Sequence, residues 1–437
     1  MEIVNKLINL KVKIATFFFG LSEYSFIRDG IRFFSFTNQP NTNLILFLIL
    51  NLVVFFFLFQ DAINLTNFFF THTLSWDSYV YYCGSNMLMM GEDPYDYVLL
   101  RECLPGSWNF YYNMPPTLLY IYYFPAKLNI DTFILFITMI NTFLIVITLR
   151  RFFKSFSFKN NFQKFIFVIL ALTVWDGSAS IAFYTGNMGF TVSLLYLYLL
   201  LDLREGNQTK FLTFIFIATL IKPIYIIFLG SIFFYNKSLL KSVKNSLIVI
   251  FFISLAYAAQ FVLDQKNSIG FLENLQNLAN SSDMGFGFLK TLASVKSVEY
   301  LSLSKTMYLE ISLILSVITF FVCLYFYKLN EEKIKPLRSL LVPIIILICF
   351  PRIKVYDAVF ALSSICYLPI LMDIKLQEKK ILNPQIVLCV KILMFFAIIY
   401  NVFIYSQWEA VHFFFLPILS ILVIFHLSNQ IDYKLHP

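Results

Sequence analysis

Charge is scarce in this chain. Asp, Glu, Lys and Arg make up 13% of its 437 residues, about half of the ~25% that a soluble domain carries. A globular core cannot bury the apolar surface that this balance leaves, and a bilayer is the solvent that fits it. The signatures of soluble nucleotide chemistry are missing too. There is no Walker loop and no dinucleotide glycine fingerprint, and no Ser nucleophile elbow. Only 4 His and 6 Cys are present, and no spacing among them fits a zinc site. There is no internal repeat, no low-complexity linker and no separate soluble domain.

What fills the space is apolar. Hydrophobic residues make up 59% of the chain, with 53 Phe and 26 Tyr, and the mean hydropathy is +0.75. Phe is at home in lipid and Tyr at its interface. The net charge of +8 is spread over short loops between apolar runs. That is the positive-inside pattern of a membrane protein, and it argues against a nucleic-acid surface. Residues 1–42 read as a basic cytoplasmic leader carrying Lys6, Lys11, Lys13, Arg28 and Arg32, without the h-region and cleavage site of a signal peptide. A first span is expected at Asn43–Ala62, then a polar external loop over residues 63–113 with Arg101 as its one basic residue. Met114–Leu128 is expected to be re-entrant or strongly tilted, and Asp131–Leu149 to be a span. Arg150, Arg151, Lys154, Lys159 and Lys164 mark the next segment as cytoplasmic.

Three later stretches share one pattern: basic flanks at both ends and a polar break in the middle. Phe165–Leu201 breaks at Trp175–Gly189, Phe211–Tyr235 at Lys222–Pro223, and Leu340–Leu371 at Pro351–Asp357. Each half is shorter than the ~20 residues of a full crossing. Broken helices persist at membrane depth only where they line a cavity, so all three breaks are expected on the outer side. Ordinary spans are expected at Leu247–Leu263, Met307–Tyr327, Pro384–Ile404 and Val411–Leu427, and a second external loop over residues 264–305. The sum is about twelve crossings of ~20 residues each, with a tail at 428–437 and both termini cytoplasmic. Cys83 and Cys103 share the first external loop, where a disulfide is chemically possible.

The first external loop holds the densest chemistry. Asp77 opens a helical-looking stretch that ends near Met90. A carboxylate near the membrane surface among aromatics can have a raised pKa and serve as a general base. It reads equally as an N-cap, alone or with Ser75. Asp93-Pro94 reads as a turn or a helix start. Lys222 at a helix break within membrane depth costs roughly 2.5–3.5 kcal/mol on insertion scales. Such a residue either faces a cavity with a role there or snorkels to the interface. Arg352 and Lys354 occupy an equivalent break and suit phosphate, unless Arg352 and Asp357 form a structural ion pair. Asp176 is either a second acid or a cap. His72 has no visible metal partner, and the segment from Asn274 to Leu289 either covers the cavity or is solvated.

The order Asp77-x-x-x-Tyr81-Tyr82, Gly91-x-Asp93-Pro94-Tyr95, Tyr112-x-x-Pro115-Pro116 resembles the first external loop of glycosyltransferase family 87, membrane enzymes of the GT-C fold. Tyr184-Thr185-Gly186-Asn187-Met188-Gly189 is similar to that family's Gly-Gln-x-Asn stretch, with Asn187 where Gln is more usual. Ala218 to Pro223 is similar to its Ala-x-x-x-Lys-x-x-Pro stretch, with the proline early. Together these matches run from Asp77 to Pro223. The family's Ser-Pro followed by Trp and His is replaced here by Pro351-Arg352-Ile353-Lys354-Val355-Tyr356-Asp357.

The resemblance implies an all-α polytopic membrane protein: a GT-C-like bundle with a large first external loop, in a bacterial inner membrane. It implies transfer of a hexose, mannose by family analogy, from a polyprenyl-phosphate donor to a glycolipid or surface-polysaccharide acceptor, with inversion. Asp77 would be the catalytic base. Tyr81, Asp93, Tyr95, Asn187, Lys222, Arg352, Lys354 and Tyr356 would bind substrate. A monophosphate leaving group flanked by Lys and Arg does not demand a metal or other cofactor. The alternatives are a transporter or flippase of lipid-linked saccharides, which can also use broken helices, and a polysaccharide polymerase.

Overall fold

The computed structural model describes residues 28–29, 75–105, 110–203, 208–280, 305–350, 355–377 and 409–428. The leader, the expected first span, His72, the expected span at Pro384–Ile404, the segment 281–304, Arg352 and Lys354 lie outside them. Every regular element among the described residues is helical. In chain order they are α1 (Trp76–Met90), α2 (Tyr97–Cys103), α3 (Pro116–Tyr122), α4 (Ile130–Ser155), α5 (Asn161–Thr185), α6 (Met188–Leu200), α7 (Thr209–Ile221), α8 (Ser231–Tyr235), α9 (Leu239–Leu263), α10 (Gln265–Asn280), α11 (Lys305–Leu329), α12 (Glu331–Ile334), α13 (Arg338–Ile348), α14 (Val359–Gln377) and α15 (Glu409–Ser428). Short 3-10 turns lie at Pro125–Lys127, Pro223–Gly230, Lys335–Leu337 and Val355–Ala358.

Three of these helices, α4, α9 and the Glu310–Leu329 part of α11, are long and apolar enough to cross a membrane. Their outward faces carry Phe136, Met139 and Phe143, Leu247, Phe251 and Leu255, and Val317 and Phe321, all exposed. Water does not solvate such a surface well, and lipid does, so the chain is a membrane protein. α3 has 7 residues, about 10 Å of helix. It is too short to cross by itself.

The three broken stretches form helical hairpins. α5 ends at Thr185, and Gly186 takes the left-handed conformation (φ 71°). The Gly186 and Asn187 amides bond back to the Phe183 and Ala182 carbonyls, which closes the helix C-terminus. Asn187 then caps α6, its Oδ1 accepting from the Gly189 amide at 2.7 Å. This break is narrower than the expected Trp175–Gly189. Trp175 and Asp176 lie inside α5 and not at its end: polar residues alone do not interrupt a backbone ladder that a positive-φ glycine does. α7 ends at Ile221, where Lys222 turns extended (φ −151°, ψ 112°). Pro223 then starts a 3-10 turn as its first residue, where its missing N–H is harmless. The third break lies between α13 and the turn at Val355–Ala358 that leads into α14.

Both ends of each hairpin lie at one end of the bundle, the basic one. There Arg151 pairs with Asp202, and the Lys159 ammonium donates to the Ile374 carbonyl at 3.2 Å. Gln163 donates to Asp373 at 2.9 Å. Gln208 bonds Asn236 at 2.6 Å, and Lys328 reaches the Asn236 carbonyl at 2.9 Å. Several of these groups satisfy carbonyls that helix C-termini leave open. The core between the two ends is aromatic. Tyr225 stacks on Phe228 at 5.3 Å and Phe228 on Tyr196 at 4.1 Å, with Phe360 edge-on to Phe228 at 5.1 Å. Each such pair adds about 0.5–1.5 kcal/mol beyond area burial, so this stack fixes α6, the Pro223 turn and α14 against one another beneath the breaks.

Candidate functional site

At the end away from the basic residues, the three breaks meet, and α1 lies on them. α1 docks through its neighbouring residues Asp77 and Ser78. The Ser78 hydroxyl donates to the Thr185 carbonyl at 3.3 Å. A Cβ at Gly186 would stand 1.9 Å from Ser78 Oγ, so glycine is needed both for the turn and for the approach of α1. The Cys83–Cys103 disulfide closes α1 onto α2. It realises the bond that the loop made possible and fixes the middle of the helix that carries Asp77.

Ser75 makes no side-chain cap to α1, and Asp77 does not act as one. Its carboxylate faces the break instead. Asn187 Nδ2 donates to Asp77 Oδ2 at 2.9 Å, and the Thr185 hydroxyl bonds the same carboxylate. Because Asn187 Oδ1 already caps Gly189, its amide group is left aimed at Asp77. Asp77 keeps some surface exposure, yet desolvation is the strongest influence on its charge. Its pKa is pushed up to about 6 from an ordinary 3.8. The Asn187 and Thr185 hydrogen bonds and the Lys222 charge oppose that rise without cancelling it, and the Asp357 charge adds to it.

Lys222 does not snorkel away from the site. Its ammonium pairs with Asp357 Oδ2 at 2.5 Å, joining the second break to the third. Asp357 Oδ1 accepts from the Tyr225 hydroxyl at 2.8 Å. Tyr225 sits one 3-10 turn beyond Lys222, its amide bonded to the Lys222 carbonyl at 3.0 Å, so it returns to the same side. The Asp357 carbonyl accepts from Ser193 Oγ at 3.2 Å. Tyr81, on α1, accepts the Met188 amide at the start of α6 at 3.3 Å. It is buried and stacks on Tyr122 at 5.5 Å.

Of the residues expected in a site, Asp77, Tyr81, Asn187 and Lys222 are therefore brought together. The contacts of Asp93 and Tyr95 lie within the first loop and against α10. Asp93 Oδ1 accepts the Tyr95 amide at 2.9 Å, the turn that Asp-Pro suggests, and its other oxygen faces Lys266 at 3.9 Å. Tyr95 is buried: its hydroxyl donates to the Met114 carbonyl at 2.8 Å, and its ring meets Tyr112 edge-on at 5.5 Å. Asn274 donates to the Tyr95 and Tyr112 carbonyls at 3.3 and 3.1 Å. The segment after residue 264 thus begins as helix α10 packed on the first loop. Tyr356 is in the turn before α14, while its side chain, like Arg352 and Lys354, lies outside the described residues. Thr185, Gly189, Tyr225 and Asp357 as the partner of Lys222 were not anticipated. For Tyr225, its place three residues past Lys222 was a usable signal.

Among the described residues no three His, Cys, Asp or Glu side chains are grouped to hold a metal ion. What the arrangement offers is a half-buried carboxylate that takes up a proton near pH 6 beside a fixed ammonium. That pairing suits proton removal next to a developing negative charge. No protein-family model matches the chain, and no curated protein or solved structure was found similar to it.

Proposed function

We propose that the chain is an inverting membrane glycosyltransferase of the GT-C type. It would lie in a bacterial inner membrane with about twelve crossings of ~20 residues and both termini in the cytoplasm. It takes a hexose, mannose by family analogy, from a polyprenyl-phosphate donor and gives it to a glycolipid or surface-polysaccharide acceptor on the outer face. The observation that carries this reading is the meeting of Asp77 with Asn187 and the Lys222–Asp357 pair at the end of the bundle away from its basic residues.

In the reaction, the acceptor hydroxyl oxygen attacks the anomeric carbon from the face opposite the phosphate. Asp77 takes the hydroxyl proton as the new C–O bond forms. The anomeric C–O bond breaks with its electron pair on the phosphate oxygen, and polyprenyl phosphate leaves. Lys222 faces the charge that builds on that leaving group. General base catalysis contributes about 10² to 10⁴-fold, and positioning and charge stabilisation must supply the remainder.

The test is sugar transfer by the purified protein in nanodiscs, with polyprenyl-phosphate mannose or glucose and a glycolipid acceptor extract, for wild type and Asp77→Asn. Transfer by the wild type and its loss in a folded variant is the expected result. Equal transfer by both would remove Asp77 from the chemistry. A second reading, a transporter of lipid-linked saccharides, draws on the hairpins meeting at an ion pair within the bundle. A transporter would move the intact donor across the bilayer and tolerate Asp77→Asn.

A further inference from the structure

We propose that Asp357 is a positioning residue for the donor phosphate. It holds the Lys222 ammonium at the meeting point of the three breaks, and Gly189 is the residue that leaves it room. This inference rests on the transferase reading and assigns within it a role that the first external loop cannot supply.

The two members of the pair differ in access. The Asp357 side chain is 3% exposed and that of Lys222 is 23%. Asp357 is enclosed on every side that its atoms offer: Oδ2 takes Lys222, Oδ1 takes the Tyr225 hydroxyl, and its carbonyl takes Ser193. A carboxylate so enclosed does not touch a substrate, so it acts through the one partner that does reach the surface. The backbone of α6 is shaped to it as well. A Cβ on Gly189 would lie 1.9 Å from Asp357 Oδ1, 2.7 Å from Asn187 Oδ1 and 2.8 Å from the Tyr225 hydroxyl. Any side chain at position 189 displaces the carboxylate and with it both of its bonds. Gly189 sits in the first turn of α6, and the close approach of these groups explains its presence.

Lysine is a flexible point charge on a four-carbon stem. Left alone at the mouth of the site, it would lose conformational freedom each time an anion bound. Held by Asp357, it is already in place. The competing possibility has the opposite sign: if Asp357 merely neutralised Lys222, removing it would strengthen anion binding.

The experiment measures binding of farnesyl monophosphate, a short isoprenyl phosphate, to the full-length protein in nanodiscs by calorimetry. In parallel, the rate of Lys222 modification by a soluble amine reagent is read by mass spectrometry. Lys222→Met is expected to lose most binding. Asp357→Asn is expected to weaken it about 10- to 100-fold, the range of a hydrogen bond to a charged group, and to raise the Lys222 modification rate. Gly189→Ala keeps the charge and moves it, and is expected to weaken binding to a similar degree. Tyr225→Phe, the mildest change, is expected to weaken it a few-fold. In the transfer assay the Asp357 and Tyr225 variants should raise the donor KM and leave the acceptor KM unchanged, which general loosening of the fold would not do.

Tighter or unchanged binding in a folded Asp357→Asn protein overturns the proposal while leaving the transferase reading intact. If Gly189→Ala does not fold, unchanged binding in Tyr225→Phe together with an unchanged Lys222 modification rate in Asp357→Asn overturns it equally. Failure of the wild type to bind farnesyl monophosphate, or equal binding by Lys222→Met, overturns the donor assignment itself and the proposal with it.

Discussion

At the basic end of the bundle, Arg151, Lys159, Lys328 and Arg338 each reach a carbonyl, carboxylate or ring on a neighbouring helix. Where the breaks meet, at the opposite end, Lys222 is set against two carboxylates, Asp357 in direct contact and Asp77 near enough to feel its charge. The first set is numerous and partly solvated. Exposed pairs of that kind are worth about 0–1 kcal/mol each, and losing one leaves no charge stranded. In the second set Asp357 is enclosed, so removing Lys222 would leave it without its cation. The same residue types therefore tie helix ends together at one end and form an enclosed pair at the other.

The sharpest way to break this contrast is to remove Asp77. Asp77→Asn is expected to lower transfer by about 10² to 10⁴-fold without unfolding the protein. The wild-type rate should rise with pH through about 6, because the base must be ionised to accept a proton, and its pKa is raised to that value. Stability runs the other way. The folded pKa lies above the ordinary 3.8, so the contribution of this group to stability is fully present below about pH 4 and is lost as pH rises through about 6. At pH 7 the Asn variant is accordingly expected to melt at or above the wild-type temperature, as scanning calorimetry in detergent would record. A catalytically dead protein that is also markedly less stable would contradict this account.

Next in size is Lys222→Met. It leaves Asp357 enclosed without its cation, at an expected cost of about 3–5 kcal/mol. Adding Asp357→Asn removes the stranded charge and should return most of that loss. A double-mutant cycle on unfolding midpoints measures the coupling, and additive effects would mean that the pair is not an energetic unit. Gly186→Ala is expected to cost about 1–3 kcal/mol, because alanine resists a left-handed backbone. It would also press a methyl group into Ser78, so α1 should shift and transfer should fall with it. Retained activity at reduced stability would show that α1 is held elsewhere, through the Cys83–Cys103 disulfide.

The sequence made the breaks at Lys222–Pro223 and before Asp357 visible, because a charge or a proline inside an apolar run has few structural explanations. The break at Gly186 was legible only approximately. Trp175 and Asp176 look disruptive in a hydropathy profile, whereas the backbone stops where a positive φ is needed. The pairings were not legible at all. Asp77 and Asn187 are 110 residues apart and Lys222 and Asp357 are 135 apart, and nothing local to either member specifies the other. The motif around Asp93 and Tyr95 shows the converse. Its residues are locally distinctive because they build a turn and an anchor for the first loop, which the pattern of residue types cannot separate from a binding role.

The smallest effect is expected at Arg151, and it sharpens the contrast from the other side. Arg151 pairs with Asp202 with side-chain exposures of 29% and 51%, and it also lies over the Tyr198 ring at 5.8 Å. Water reaches both charges, so a solvated Asp202 survives Arg151→Gln at little cost, about 1 kcal/mol or less. What stability is lost should shrink further in high salt, which screens exposed charges far more than enclosed ones. The Lys222→Met loss should be insensitive to the same salt. Measuring both variants across ionic strength, by thermal unfolding, separates the two kinds of cation without any knowledge of the substrate. Equal salt dependence at the two positions would mean that the Lys222–Asp357 pair is as solvated as Arg151–Asp202, and Asp357, at 3% exposure against 51% for Asp202, would then not be the enclosed partner that fixes the ammonium.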